Sequence, residues 1–251
     1  MAIIDSFCFP VTRTDELSLF EQAPVELSSL PRTRADKRYL CLFTRALKAC
    51  DDFMSQVDAD ASVGVLGLIP ANLSPGDYWW QLQAQFSGFV LHPYLQGLQA
   101  DNLGGLSACI DAGIIGRRPI FICTAVGSPK MYSIDPLKVA SAVANKVSSP
   151  VVLAHAGGAK IIEAMLIADA HEHVFLETSF SLPYWLGSSV EQDTAFAIKK
   201  IGAHRFLYGS DAPFCSEQKA LDAHYAFFDR HGVDADSIGK IMCTNAQGIF
   251  D

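Results

Sequence analysis

Short, almost wholly apolar runs alternate along the chain with longer stretches whose apolar residues recur at helical spacing. The runs fall at 2–7, 63–69, 87–91, 119–123, 150–154, 173–177 and 205–209, and residues that punctuate a strand follow them, among them Pro70, His92, Thr124 and His155. A run without alternation marks a strand buried on both faces, as in a parallel sheet covered by helices. Helical spacing occupies 35–57, 103–116, 134–147, 159–170, 190–202, 216–231 and 235–249. In 134–147, for example, Leu137, Ala140, Ala144 and Val147 form one stripe opposite Lys138, Ser141 and Lys146. Repeated βα units of this kind predict an α/β fold, a distorted (β/α)8 TIM barrel. One strand is missing from the count and is expected within 11–34, where only Val25-Glu26-Leu27 looks extended. The second βα unit is therefore expected to be irregular.

Composition narrows the partners. The chain has 251 residues, half of them hydrophobic, which supports one large core, and no low-complexity linker divides it. It is read as a single domain over 1–251. Nineteen basic against twenty-seven acidic residues give a formal charge of −8 with no basic cluster, so no nucleic acid is expected as a partner. No apolar run reaches the length of a membrane span, and the start, Met-Ala-Ile-Ile-Asp, lacks the features of a leader, so no membrane partner is expected. Seven scattered cysteines in apolar surroundings fit reduced thiols and a cytoplasmic location.

In a βα barrel, chemistry gathers where strands end. Those positions hold Phe7 and Phe9, Val90 and His92, Cys123, His155, Glu177 and Asp211. The segments IIDSFCF, GFVLHPYLQG, PIFICTA, PVVLAHAGG, VFLETS, FLYGSDAPF and TNAQGIF, in that order, resemble the successive blocks of the amidohydrolase-related family, in the branch of aminocarboxymuconate-semialdehyde decarboxylase-like enzymes. The resemblance runs from residue 3 to 250, and LAHAGG and GSDAP are its most specific parts. It implies a metal-dependent barrel hydrolase or carbon–carbon lyase acting on a small molecule. It also exposes departures. The family's first strand ends in Asp-x-His-x-His, whose two imidazoles bind a divalent metal; Phe7 and Phe9 stand there. The fifth-strand His-Thr-Gly reads Cys123-Thr124-Ala125, and the fourth-strand Lys position is Val90. His155 and Asp211 match the sixth-strand His and the eighth-strand Asp.

Two phenyl rings supply no donor, whereas a divalent ion needs three or four. The usual metal site is thus expected to be lost, leaving no cofactor, unless zinc or another divalent metal is held by a remodelled set of His92, Cys123, His155 and Asp211. Three readings stand. The first is a divergent hydrolase with Asp211 as base and His155 as acid on a small carboxylated or cyclic substrate, with His92, Gln96, Cys123 and Trp185 as substrate-binding candidates. The second is an inactive barrel serving as a binding or scaffold subunit, with Phe7 and Phe9 as core filling, Cys123 as an inert thiol, and His155 and Asp211 as a brace. The third is the remodelled metal enzyme. The loop Pro183-Tyr184-Trp185-Leu186 is a candidate lid, the aromatics Tyr78-Trp79-Trp80 serve packing or a contact between chains, and a homodimer is a further candidate.

Overall fold

The computed structural model describes residues 1–12, 24–43, 50–125 and 132–251. Eight strands lie side by side in sequence order: β1 (Ile4–Cys8), β2 (Lys37–Leu42), β3 (Val63–Leu68), β4 (Gly88–Leu91), β5 (Ile120–Cys123), β6 (Val151–Ala154), β7 (Val174–Glu177) and β8 (Phe206–Leu207). Every neighbouring pair is parallel. The seam between β8 and β1 is stitched by main-chain bonds from Ser6 N to Tyr208 O (3.1 Å), Asp211 N to Phe7 O (2.8 Å) and Phe9 N to Ala212 O (2.8 Å). The molecule is a nearly closed (β/α)8 barrel.

The lack of alternation in the strands is explained by two separate apolar clusters. Tyr39, Cys41, Leu66, Val90, Phe121, Cys123, Val152, Ala154 and Leu207 face the barrel interior. Their sequence neighbours Leu40, Leu42, Val65, Phe89, Leu91, Ile122, Val151, Leu153 and Phe206 face the surrounding helices. Adjacent side chains on a strand point to opposite faces, so each strand is apolar at every position because both faces are covered. The C-terminal segment adds Cys243, Ala246 and Ile249 to the interior cluster, and Phe250 stacks on Tyr39 (3.5 Å between ring centres) and Phe121 (5.9 Å).

The second unit differs from the expectation. Its strand is not near Val25-Glu26-Leu27, where Leu27–Ser29 form a single 3-10 turn, but at Lys37–Leu42, inside the stretch whose spacing predicted a helix over 35–57. It pairs five consecutive residues with β3, while its register with β1 shifts between Asp5 and Cys8, which is where the unit is irregular. Tyr39 to Phe43 form an unbroken apolar run, which satisfies a helical period as readily as a strand buried on both faces, and tertiary burial settled which. The helix that follows is Asp51–Asp58. Part of the stretch expected to hold the missing strand, 13–23, and part of the expected helix, 44–49, lie outside the described residues. The C-terminal helical stretch 235–249 also divides, into a helix at Ala235–Gly239, a π turn at Lys240–Thr244 and a helix at Asn245–Phe250. No helix among the described residues is long and apolar enough to cross a membrane.

Candidate active site

The strand ends deliver two chemically different surfaces to one end of the barrel. From β1 comes an aromatic cluster. The Phe7 ring stacks on Phe121 (5.8 Å), meets Phe9 edge-on (5.4 Å) and presents itself edge-on to the His155 imidazole (5.4 Å). Phe9 in turn packs on Phe43 and Phe214. All ring edges here are hydrocarbon, so this side offers no lone pair.

From β6, β7 and β8 comes a polar cluster. His155 and Asp211 both adopt the left-handed backbone region, with φ of 65° and 60°. Only Ala156 and Phe180 share that property among the described non-glycine residues. A residue with a Cβ enters that region at a cost of roughly 1–3 kcal/mol, and such strain gathers at functional sites. The turn after His155 is completed by Gly157 and Gly158, which accept the reversed backbone without that cost.

Hydrogen bonds then orient His155. Its Nδ1 lies 3.1 Å from the Ser179 carbonyl oxygen, an acceptor only, so Nδ1 carries the proton and donates it there. The Ser179 hydroxyl, also 3.1 Å from Nδ1, donates to Glu177 Oε2 at 2.7 Å. Nε2 is left with its lone pair, 4.0 Å from the Cys123 sulfur. Burial pushes the His155 pKa down to about 4, so the ring is neutral near pH 7. Glu177, fully buried, accepts from Ser179 N (2.5 Å) and from His155 N (3.2 Å), yet burial still pushes its carboxyl up to about 8. A Cβ on Gly209 would sit 2.4 Å from Glu177 Oε1, so only glycine leaves room for this carboxyl. Burial first, then the charges of Glu177 and Asp5, raise the Asp211 carboxyl well above its ordinary value, with no hydrogen bond opposing the rise. Asp5, tied to Ser210 N (2.8 Å) and Ser210 Oγ (2.5 Å), is pushed up by burial to about 6.

The remaining sequence candidates take varied positions. His92 is buried between Phe43 and Tyr94; its Nδ1 has no hydrogen-bond partner, and burial pushes its pKa down to about 3. Gln96 spends both ends of its amide on the main chain, accepting from His92 N (2.7 Å) and donating to Ile69 O (2.6 Å). The Cys123 thiol is buried and held in its protonated form by burial and by the Asp211 and Glu177 charges. All seven cysteines are free and buried. The segment expected to be a loop at 183–186 is mostly helix, Ser181–Trp185. Trp185 reaches the site only through other rings: it packs on Tyr184, Tyr184 stacks on Phe180, and Phe180 lies edge-on to His155. Trp79 is buried against Phe86 and Phe89, a packing role.

Sequence reasoning underused Ser179, Phe180 and Glu177. The signal available was the polar Glu-Thr-Ser block closing an otherwise apolar strand, because buried polar residues at a strand end need partners.

Among the described residues no group of three His, Cys, Asp or Glu is placed to hold a metal ion. The β1 positions present rings, and the lone pair that His155 can offer is that of Nε2, because Nδ1–H is bound to Ser179.

A family model described as Amidohydrolase matches residues 64–251. No curated protein sequence matches the chain. An uncharacterized TIM-barrel protein from Bordetella bronchiseptica superposes with a TM-score of 0.70 at 17% identity, covering 99% of this chain and 98% of that one. A probable 2-pyrone-4,6-dicarboxylic acid hydrolase from Acinetobacter baumannii, with citric acid bound, gives 0.63 at 13% identity over 100% and 99%. A dihydroxybenzoic acid decarboxylase from Polaromonas, with manganese and the inhibitor 2-nitroresorcinol bound, gives 0.63 at 14% identity over 99% and 96%. At these identities the structural likeness is one of fold.

Proposed function

The chain belongs to the amidohydrolase family, and from that premise we propose that it is a divergent hydrolase of small carboxylated or cyclic substrates that works through Asp211 and His155 without the family's usual metal. The observation that carries the reading is the pair itself. Both residues sit in strained left-handed backbone just past β6 and β8, the strands on either side of β7, and His155 is fixed with Nε2 as an acceptor that faces the Cys123 thiol at 4.0 Å.

Burial supports the reverse of the proton roles that the sequence suggested, in which Asp211 was the base and His155 the acid. A neutral imidazole with Nδ1–H bound to Ser179 offers Nε2 as the base that takes a proton from an attacking water. A buried carboxyl held toward its protonated form offers Asp211 as the acid that returns a proton to the leaving oxygen. Atoms balance: water gives hydroxide to the carbonyl carbon and its proton to Nε2, and the leaving group receives its proton from Asp211. The unpartnered Nδ1 of His92 is the natural place for a polar group of the substrate, since a buried nitrogen without a partner is costly until one arrives. Substrates that resemble those named for the structural neighbours form the first panel: 2-pyrone-4,6-dicarboxylate for hydrolysis and dihydroxybenzoate for decarboxylation.

The test is turnover of that panel by chelator-treated protein, comparing the parent with Asp211→Asn and His155→Ala. Each substitution is expected to lower turnover by about 10²–10⁴-fold while the thermal midpoint moves only slightly. A parent that turns over neither compound, together with a large stability loss in Asp211→Asn, would make the pair a structural brace and the barrel a binding or scaffold subunit. Turnover that requires added zinc or manganese would restore the metal-dependent reading.

A further inference from the structure

Beside the barrel mouth, and sharing Phe9 and Ala212 with its rim, a cavity of about 350 Å³ opens on the flank of the barrel, between the outer face of β1 and β2, the 30–34 segment and the start of the Glu217–His231 helix. That volume lies within the range of small-molecule sites. Its inner wall is apolar, built from Cys8, Val11, Leu30, Leu40 and Pro213, and three arginines, Arg32, Arg34 and Arg38, line it as well.

The charges around this cavity are unevenly satisfied. The two acids in its lining already have donors of their own. Glu217 accepts from Thr33 Oγ1 (2.7 Å), Arg34 N (2.9 Å) and Ala35 N (3.1 Å), and Asp5 accepts from the main-chain nitrogen and hydroxyl of Ser210. Arg34 reaches Gln218 Oε1. The guanidinium groups of Arg32 and the half-buried Arg38 make no hydrogen bond or ion pair with any described residue. Behind the wall, the Tyr208 hydroxyl is fully buried and has no hydrogen-bond partner, and Asp5, Cys8 and Glu217, which line the cavity, are among the groups that act on it electrostatically. A guanidinium with its donors free at the edge of an apolar chamber matches an anion whose body prefers to leave water.

We propose that this flank cavity is a second binding site, lined by neither His155 nor Asp211, for a small organic anion that seats an apolar or aromatic body against Val11, Leu30 and Leu40 and its carboxylate or phosphate on Arg32 and Arg38. The proposal does not depend on the reaction assigned to the mouth. The shared chemistry is the anionic head on a compact apolar body; benzoate and phenyl phosphate separate a carboxylate source from a phosphate source.

Isothermal titration calorimetry on the whole chain tests it, with benzoate, phenyl phosphate, inorganic phosphate and the neutral benzyl alcohol as probes. One of the two aromatic anions is expected to bind more tightly than inorganic phosphate and benzyl alcohol. Arg38→Gln and Arg32→Gln, separately and together, are expected to weaken it by about tenfold or more, the worth of one charge-assisted hydrogen bond. Leu30→Trp, which fills the chamber from its half-exposed side, is expected to abolish binding without removing charge. His155→Ala, in the mouth, is expected to leave the affinity unchanged. Arg32 is exposed, so Arg32→Gln remains informative if Arg38→Gln fails to fold. Binding that survives both arginine variants, that is lost in His155→Ala, or that benzyl alcohol reproduces would overturn the proposal, as would the absence of binding by either aromatic anion.

Discussion

The β1 end and the β6–β8 end of the barrel face each other across a few ångströms and follow opposite rules. On one side Phe7 and Phe9 fill space and close ring on ring. On the other, His155, Ser179 and Glu177 are joined by directed hydrogen bonds, and Asp211, past the end of β8, feels the Glu177 carboxyl electrostatically. The contrast sets the electrostatics. Aromatic walls remove water from the polar cluster without offering it any compensating charge, so desolvation is the largest influence on His155, Glu177 and Asp211 alike. The acids are driven toward their protonated forms and the imidazole toward its neutral form. A mouth whose buried groups are driven toward their uncharged forms is the consequence.

The largest expected effect comes from breaking the aromatic side. The double substitution Phe7→His, Phe9→His places two imidazoles among buried rings. It is expected to lower the unfolding free energy by about 3–5 kcal/mol through lost packing and unsatisfied nitrogens. Zinc should recover part of that loss, because position 7 lies against His155 and is bound through its carbonyl to Asp211 N. Denaturant unfolding with and without zinc measures both, and equal recovery in the parent would show that the parent already holds the ion.

Removing the centre of the polar side is expected to cost somewhat less. Glu177→Ala leaves Ser179 N, Ser179 Oγ and His155 N without their acceptor in a dry site. A loss of about 3 kcal/mol is expected in denaturant unfolding, given roughly 1–3 kcal/mol for a buried donor left unsatisfied. The same variant should release the Ser179 side chain from its present position and loosen the tautomer of His155, read from imidazole nitrogen shifts. A variant as stable as the parent with an unchanged tautomer would detach Glu177 from the site.

The smallest effect sharpens the contrast without a mutation. Glu177 has its folded pKa raised to about 8 from an ordinary 4.5, so the folded state holds this proton more tightly than the unfolded chain. The stability it contributes is complete below the ordinary value and is lost as pH rises through the folded one. The histidines run the other way: His155 and His92 have lowered folded values, so their contribution grows as pH rises toward their ordinary 6.5 and is flat above it. Above about pH 6.5 only the acids remain in play, and stability is expected to fall by about 2 kcal/mol between about pH 6.5 and about pH 9. Chemical denaturation across that interval checks the sign; a rise would mean that the polar cluster is ionised in the folded protein.

Much of this arrangement could be read before any coordinates. Alternating apolar runs and helical stretches predict seven of the eight strands near their observed places, because a strand buried on both faces imposes its composition on the chain. His155 and Asp211 stood out because each follows an apolar run at a strand end. β2 did not: the run Tyr39–Phe43 fits either period, and only its neighbours β1 and β3, distant in the chain, select the strand.

The proton state of the mouth was also hidden from sequence. A histidine and an aspartate in a row of letters carry their ordinary affinities for protons. The values that matter arise when Phe7 closes over His155 and when Ser179 claims its Nδ1. The flank cavity depends in the same way on residues from positions 5–11, 30–40 and 212–218 meeting around one space. Periodicity along the chain determined which residues are buried and where strands end, since burial acts on each residue through its own surface. Which proton sits on which atom, and which charges are left without partners, were decided by the tertiary structure, because desolvation and hydrogen bonding act between residues that the sequence keeps far apart.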